Sequence, residues 1–132
     1  MKRLFTFGCS YTVWAWPTWS DYIGVNFDTY YNFAKSGCDN KNILYQILKA
    51  DKKYKFTSDD CVMIMFTSFN RCSYFKQYQL FNSGDLVDEN KSHPFMNKYP
   101  YEAGIYDSWI SAKSIRNLLD NKGVNYHLQH YY

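Results

Sequence analysis

The sequence predicts an α/β fold with a short, mostly parallel central sheet, and three observations support this class. Short apolar segments rich in β-forming residues recur along the chain, at residues 4–7, 27–34, 61–66 and 124–131. Segments with apolar residues at helical spacing separate most of them. Small or polar residues follow the first three apolar segments directly. Such alternation favours parallel strands joined by right-handed crossovers, with helices on both faces of the sheet.

Length and composition place the chain among single globular domains. Its 132 residues are enough for one domain, spanning 1–132, with a real core. The hydrophobic fraction of 46% and charged fraction of 20% exclude global disorder. A net charge of +3 without a basic run does not predict a nucleic-acid partner. Since neither a membrane-length apolar stretch nor a secretory leader occurs, we expect a cytoplasmic protein without a membrane partner.

The cysteine pattern predicts reduced thiols. Cys9, Cys38, Cys61 and Cys72 form no Cys-x-x-Cys pair and no evident disulfide framework. Histidines and cysteines at metal-ligand spacing are missing, so no metal is expected. No Gly-x-Gly-x-x-Gly or P-loop lysine motif occurs either, and no cofactor is expected.

The first predicted strand leads into the residue on which the functional hypothesis depends. Residues 4–7 form a buried strand, and Gly8 permits the sharp turn that follows it. Ser10 then stands at the carboxyl end of this strand, the edge at which open α/β sheets bind ligands. Ser10 is therefore a candidate nucleophile whose own N–H can help to bind an oxyanion. The alternative is that Ser10 only N-caps the next segment.

A short helix and a second strand are predicted next. Pro17 suits the first turn of a helix that ends at Gly24. Three residues share one face of this helix: Trp19, Tyr22 and Ile23. Residues 27–34 form the second strand, which ends in Lys-Ser-Gly at 35–37.

Asp39 or Asn40 is predicted to cap the second helix. The apolar stripe of this helix consists of Ile43, Leu44, Ile47 and Leu48. The unbroken apolar run at 61–66 predicts a central strand buried on both faces, ending in a polar cluster at 67–71.

The C-terminal half is predicted to contain a long excursion, a helix and a last strand. Residues 72–103 are polar and aromatic, and long loops of this kind often form part of a site or a lid. A helix is expected over 105–122 and a strand over 124–131. The helix is predicted to face inward with Trp109, Ala112, Ile115, Leu118 and Leu119.

Three sequence blocks resemble the SGNH (GDSL-type) hydrolases. Residues 8–12 (Gly-Cys-Ser-Tyr-Thr) are similar to the first block of that family, residues 32–37 (Asn-Phe-Ala-Lys-Ser-Gly) to the second, and residues 62–70 to the third. The residues of these blocks are especially similar to those of small SGNH-like proteins from phage and metagenomic sequences. The resemblance implies a three-layer, flavodoxin-like fold and a serine esterase or deacetylase. For a phage-encoded protein, the compartment would be the host cytoplasm.

The resemblance also implies a catalytic site. Ser10 would be the nucleophile, and the oxyanion hole would consist of the N–H groups of Ser10 and Gly37 with an asparagine side chain. The third block departs from the family, because Phe66 replaces its glycine and Ser68 stands where the asparagine is expected. Asn70, two residues further on, is the preferred amide donor, and Ser68 is the alternative hydrogen-bond donor. Both can also be plain turn residues.

The fourth block of the family, Asp-x-x-His, does not occur in the chain. The segment at 90–94 (Asn-Lys-Ser-His-Pro) imitates it, which makes His93 the candidate base, although it precedes the last predicted helix. His127 and His130 are expected to be structural or exposed. On this comparison the chain lacks the last strand and helix of the family and is expected to be C-terminally truncated.

Two functions therefore remain open. The first is a hydrolase of small acyl or carbohydrate esters, and the second is a non-catalytic module that binds ligands in an aromatic crevice. A flavodoxin-like nucleotide binder lacks any supporting motif. The last strand, if unpaired, predicts association into a homo-oligomer.

Overall fold

A computed structural model describes residues 1–76, 79–85 and 101–130 of the chain. In chain order, the helices and strands are β1 (Arg3–Phe7), α1 (Trp19–Gly24), β2 (Thr29–Asn32), α2 (Asn40–Tyr54), β3 (Cys61–Phe66), β4 (Arg71–Lys76), β5 (Gln79–Asp85), α3 (Tyr101–Asn121) and β6 (Asn125–His130).

Four strands form an open, entirely parallel sheet in the order β2-β1-β3-β6. In β1, Leu4 pairs with Tyr30 of β2 on one side and with Cys61 of β3 on the other. Further along β3, Phe66 pairs with His130 of β6. The predicted α/β class with a parallel sheet is therefore confirmed, and the layout is compatible with a flavodoxin-like fold. All four strands end at the same edge, called the carboxyl edge below.

Helices cover the two faces of the sheet unequally. Alternate residues of β1 and β3 point toward α2 and α3, where they form the main core with Ile43, Ile47, Ile115 and Leu119. The short helix α1 lies on the opposite face, where Ser20 receives a hydrogen bond from the Tyr30 hydroxyl at 2.8 Å. Because α1 has only six residues, it leaves part of that face uncovered by a helix of the described chain.

This unequal cover corrects the prediction for β3. Val62, Ile64 and Phe66 are buried, whereas Cys61, Met63 and Met65 are only half-buried. The apolar run was expected to be buried on both faces, but only one of its faces lies beneath two long helices.

Two helix faces also differ from the sequence prediction. Trp109 of α3 is 62% exposed, although it was expected to face inward. Tyr22 of α1, which was predicted to share a face with Trp19 and Ile23, is 70% exposed. Leu48 of α2 is exposed as well. The predicted burial of Ile115 and Leu119 is confirmed. Pro17 lies before the N-cap Thr18 of α1 and is therefore not in the first turn of the helix.

The region predicted as a long excursion begins with a β-hairpin. Strands β4 and β5 pair antiparallel in a separate two-stranded sheet, with a register shift between Cys72 and Ser73. Helix α3 starts at Tyr101, four residues earlier than predicted. Residues 77–78 and 86–100, which contain His93, lie outside the described residues.

Strand β6 ends the sheet, with β3 as its one hydrogen-bonded neighbour among the described strands. The predicted homo-oligomer through this strand stays a prediction. None of the helices in the described chain combines the length and the apolar character needed to cross a bilayer.

An ion pair fixes the opposite end of the sheet. Arg3 donates to both oxygens of Asp60, from Nε at 2.6 Å and from Nη2 at 2.7 Å. The Thr57 N–H donates to the same carboxylate at 2.7 Å. Burial opposes ionisation of Asp60, but the hydrogen bonds and charge of Arg3 together with Thr57 outweigh burial and lower the pKa of the carboxyl.

We expect Asp60→Asn to lower the free energy of unfolding at neutral pH by about 2–3 kcal/mol, because it leaves a partly buried guanidinium without its charge partner. A carboxyl whose pKa is lowered on folding stabilises the protein above its unfolded pKa of about 3.9, and this stabilisation is lost as the pH falls further. The difference between Asp60→Asn and the native protein should therefore shrink as the pH falls below the unfolded pKa of about 3.9.

Urea denaturation at several pH values measures this difference. The exposed neighbour Asp59, changed to Asn, serves as the control and should have little effect. An equal loss of stability in both variants would contradict the role given to Asp60.

Candidate active site

The loops after β1 and β2 meet at the carboxyl edge. The carbonyl oxygen of Gly8 accepts a hydrogen bond from the Lys35 N–H at 3.0 Å and one from the Cys38 Sγ at 3.2 Å. These contacts hold the segment that contains Ser10 against the segment that contains Gly37. The loops after β1 and β2 therefore lie against each other at this edge.

The loop after β1 also packs tightly against β3. A Cβ atom added at Gly8 would lie 2.2 Å from Thr12 Oγ1, 2.9 Å from Thr12 Cβ and 3.1 Å from the Met65 carbonyl oxygen. The glycine is needed here because neighbouring atoms occupy the space of a side chain. Because Gly8 has no Cβ, the loop can turn immediately beside the end of β3.

Ser10 lies in the turn that follows. This turn is closed by the N–H groups of Thr12 and Val13, which donate to the Cys9 carbonyl oxygen at 2.9 and 3.2 Å. Ser10 is half-buried, and neither its N–H nor its hydroxyl has a hydrogen-bond partner among the described residues. The nearest helix begins at Trp19, so Ser10 is not a helix N-cap, and that alternative is wrong.

Gly37 adopts a left-handed backbone conformation, with φ of +72°. No neighbouring atom would contact a Cβ at this position, so the requirement for glycine is conformational rather than steric. The turn is closed by the Cys38 N–H, which donates to the Lys35 carbonyl oxygen at 3.3 Å. Within the described chain the Gly37 N–H donates no hydrogen bond and is available to an acceptor.

Ser68 and Asn70 form a local pair in the turn between β3 and β4. The Ser68 hydroxyl donates to Asn70 Oδ1, and the Asn70 N–H donates back to Ser68 Oγ at 3.4 Å. The Asn70 side-chain NH₂ group has no hydrogen-bond partner in the described part of the chain. No hydrogen bond links this pair to Ser10 or to Gly37. The Ser68 hydroxyl thus orients the Asn70 side-chain oxygen, and no described residue accepts from the NH₂ group at this edge.

No described histidine or carboxylate is hydrogen-bonded to Ser10. His93 lies outside the described residues. His127 and His130 are exposed on β6, as predicted. His130 reaches the carboxyl edge, where its ring stacks on Phe66 with a centroid distance of 5.4 Å.

Sequence reasoning missed the role of Asn40, which was considered only as a possible helix cap. Asp39 is the N-cap of α2, and Asn40 instead connects two loops. Its Nδ2 donates to the Thr67 carbonyl oxygen at 2.9 Å and to Ser108 Oγ at 3.0 Å, and its Oδ1 accepts from the Thr67 N–H at 2.8 Å. The side chain is 4% exposed. It therefore fixes the end of β3 relative to the loop after β2 and to α3.

We expect Asn40→Ala to destabilise the protein by about 2–3 kcal/mol, because it leaves the buried N–H and C=O of Thr67 without partners. Chemical denaturation measures the loss. Asn26→Ala is the matched control, since that asparagine makes one exposed hydrogen bond to the Ile23 carbonyl oxygen. Similar destabilisation by the two variants would show that Asn40 has no special role.

Asp39 ties the hairpin to the same edge. Its carboxylate accepts from the Asn42 N–H at 2.7 Å and from the Ser73 hydroxyl at 2.9 Å to each oxygen. Burial raises the pKa of this carboxyl, against the effect of these hydrogen bonds. The polar partners are those of a structural cap, and they place β4 beside the N-terminus of α2.

The cysteines beside Ser10 are poor candidates for the nucleophile. Cys9 and Cys38 are each 1% exposed. Burial, with smaller effects of Cys9 and Asp39, raises the pKa of the Cys38 thiol to about 12. Since the thiolate is the reactive form, Cys38 is inert at neutral pH. No three metal-ligating side chains cluster among the residues that the structure describes.

An open cavity of about 340 Å³ borders Ser10. It is lined by Ser10, Tyr11, Trp14, Trp16 and Thr18. Ser10 therefore borders a space large enough for a small ligand.

Comparison with known proteins assigns no family. The chain matches no protein-family model, and a search of curated proteins found no match. The fold and this site define a protein with an open parallel α/β sheet and a serine at its carboxyl edge.

Proposed function

We propose that the protein is a serine hydrolase of the SGNH type, which cleaves small acyl or carbohydrate esters at Ser10. The main observation is that neither the N–H nor the hydroxyl of Ser10 has a hydrogen-bond partner among the described residues, in a turn that is hydrogen-bonded to the loop of Gly37. The cavity beside Ser10 gives an ester access to this hydroxyl. The three sequence blocks and the strand order β2-β1-β3-β6 support the same family.

In the proposed reaction Ser10 Oγ attacks the ester carbonyl carbon and forms a bond to it. The serine proton passes to a base, and the carbonyl oxygen becomes an oxyanion that accepts hydrogen bonds from the N–H groups of Ser10 and Gly37. The C–O bond to the alcohol then breaks, and the alcohol leaves with the proton. Water hydrolyses the acyl-serine in the same way and restores the free hydroxyl.

The base in this scheme is His93, since no described histidine or carboxylate is hydrogen-bonded to Ser10. A serine without a base is a weak nucleophile at neutral pH. His93→Ala is therefore expected to slow acylation strongly, whereas His127→Ala, on the exposed face of β6, serves as its control.

Asn70 is proposed as the third oxyanion donor. We expect Asn70→Ala to lower kcat by about 10²–10³-fold, the usual effect of losing one preorganised donor. Ser68→Ala should have a smaller effect, because Ser68 acts through the orientation of Asn70. Steady-state kinetics with para-nitrophenyl acetate measures both. The reverse order of effects would assign the donor to Ser68.

A fluorophosphonate probe tests the proposal directly. Such a probe phosphonylates an activated serine, releases fluoride and adds a fixed mass that a spectrometer locates on the chain. We expect labelling at Ser10 in the native protein and none in Ser10→Ala. The absence of labelling in the native protein would reject an activated serine.

The second candidate is a non-catalytic binding module with the same fold. Two observations favour it. No base among the described residues is hydrogen-bonded to Ser10, and the cavity beside Ser10 is lined by aromatic rings. This candidate predicts ligand binding without phosphonylation, so the same probe separates the two functions.

A further inference from the structure

Two tryptophan rings lie on the surface of the loop between β1 and α1 instead of in the core. Trp14 is 49% exposed and Trp16 is 66% exposed. Their ring centroids are 5.5 Å apart, with an interplanar angle of 60°. A tryptophan normally buries a large apolar area on folding, so an exposed pair suggests a surface that is used for binding.

The loop that holds these rings is fixed at both ends. At its start, the Thr12 carbonyl oxygen accepts three hydrogen bonds of 2.8 Å, from Thr18 Oγ1, Ser20 Oγ and Asn32 Nδ2. The Tyr30 hydroxyl donates in turn to Ser20 Oγ at 2.8 Å. Thr18 closes the far end of the loop through the same carbonyl. The two rings are therefore presented on a preorganised loop, which reduces the entropy lost when a ligand binds.

The chemistry of the cavity favours a neutral, hydroxyl-bearing ligand with flat apolar faces. Among the described residues no acidic or basic side chain lines it, and phosphates or nucleic acids would need cationic donors. Its walls combine two tilted indole rings with Ser10 and Tyr11, both of which carry a hydroxyl. The C–H faces of a pyranose ring stack on aromatic rings, whose faces are electron-rich, while its hydroxyls need polar partners.

We propose that Trp14 and Trp16 form a saccharide subsite, which holds a neutral sugar ring of the substrate beside Ser10. The subsite deepens the hydrolase function proposed above and rests on it for the reaction at Ser10. It assigns the substrate class to carbohydrate esters rather than to esters of aliphatic acids with simple alcohols. The sugar is the part of the substrate that gives affinity, and the acyl group lies at Ser10.

Equilibrium binding to the full-length Ser10→Ala protein tests the subsite without turnover. The probes are cellotetraose, xylotetraose and tetra-N-acetylchitotetraose, with octanoate as the aliphatic probe, followed by tryptophan fluorescence and calorimetry. We expect binding of at least one oligosaccharide and none of octanoate. Adding Trp16→Ala should weaken that binding about tenfold or more, which corresponds to the loss of one aromatic stacking contact.

Two further variants control the result. Trp14→Ala should weaken binding in the same way as Trp16→Ala, which guards against a local change caused by either substitution alone. Trp109→Ala removes an equally exposed tryptophan that lines a different cavity, and it should leave the affinity unchanged. Circular dichroism confirms that each variant is folded.

Several outcomes would overturn the subsite. They are binding of octanoate but of no oligosaccharide, no binding of any probe, and unchanged oligosaccharide affinity in both Trp14→Ala and Trp16→Ala. The hydrolase function is judged separately by fluorophosphonate labelling of the native protein. Labelling without saccharide binding rejects the subsite alone, and saccharide binding without labelling rejects the hydrolase alone.

Discussion

Replacing Ser10 by alanine is expected to lower kcat for para-nitrophenyl acetate by about 10³-fold or more, leaving only the activity that oxyanion donors and binding supply. The reason is that Ser10 is the proposed nucleophile, whereas the nearby thiols of Cys9 and Cys38 are buried. The protein should keep its thermal stability, because the Ser10 hydroxyl has no hydrogen-bond partner among the described residues.

The matched control for this prediction is Ser36→Ala, which removes an exposed hydroxyl from the neighbouring loop at the same edge. It should retain the native kcat. A Ser10→Ala protein that hydrolyses the ester at the native rate would show that the turnover comes from another group. Loss of stability together with activity would show instead that Ser10 is a structural residue.

Gly8→Ala is expected to be the most destabilising single substitution at the site, with a loss of about 3 kcal/mol or more. The added Cβ would overlap the Thr12 side chain at 2.2 Å and press on the Met65 carbonyl oxygen at 3.1 Å. Thr12 lies at the start of the loop that carries Trp14 and Trp16, and Met65 lies in the central strand β3. Thr12 is held by three hydrogen bonds to its carbonyl oxygen, and Met65 is held by the pairing of β3 with β6.

A second substitution, Thr12→Ala, identifies which contact causes the loss of stability in Gly8→Ala. Thr12 Oγ1 is buried without a hydrogen-bond partner in the described chain, so its removal costs no such bond. The double variant Gly8→Ala, Thr12→Ala should therefore recover part of the lost stability. Gly37→Ala is the comparison, since only its positive φ opposes a side chain, at a cost of about 1–2 kcal/mol.

Urea denaturation of the native protein, Gly8→Ala, the double variant and Gly37→Ala tests this prediction. If Gly8→Ala is no more destabilising than Gly37→Ala, the close packing described for the loop after β1 is wrong. If the double variant is as unstable as Gly8→Ala alone, the Met65 carbonyl rather than Thr12 is the limiting contact.

Much of the fold follows from local sequence patterns. The apolar runs of β1 and β3 and the helical spacing of Ile43 and Ile47 depend on neighbours in the chain, and the structure confirms them. Parallel pairing then follows from the alternation of strands and helices, because right-handed crossovers are strongly preferred. The position of Ser10 after the first strand can be predicted from the same local pattern.

The features that sequence reasoning missed depend on contacts between distant segments. Periodicity places Tyr22 and Trp109 on a helix face, but it does not show whether another element covers that face. Asn40 is indistinguishable in sequence from a helix cap, because its partners Thr67 and Ser108 are far away in the chain. The hairpin β4–β5 has polar and aromatic residues that are equally common in loops.

The central claim is that the N–H groups of Ser10 and Gly37 bind one oxygen of a group attached to Ser10 Oγ. A crystal structure of the protein phosphonylated at Ser10 measures this directly. The account predicts that a phosphonyl oxygen lies about 2.7–3.1 Å from both nitrogen atoms. A phosphonyl oxygen that points to solvent, with Gly37 N beyond hydrogen-bond distance, would contradict it.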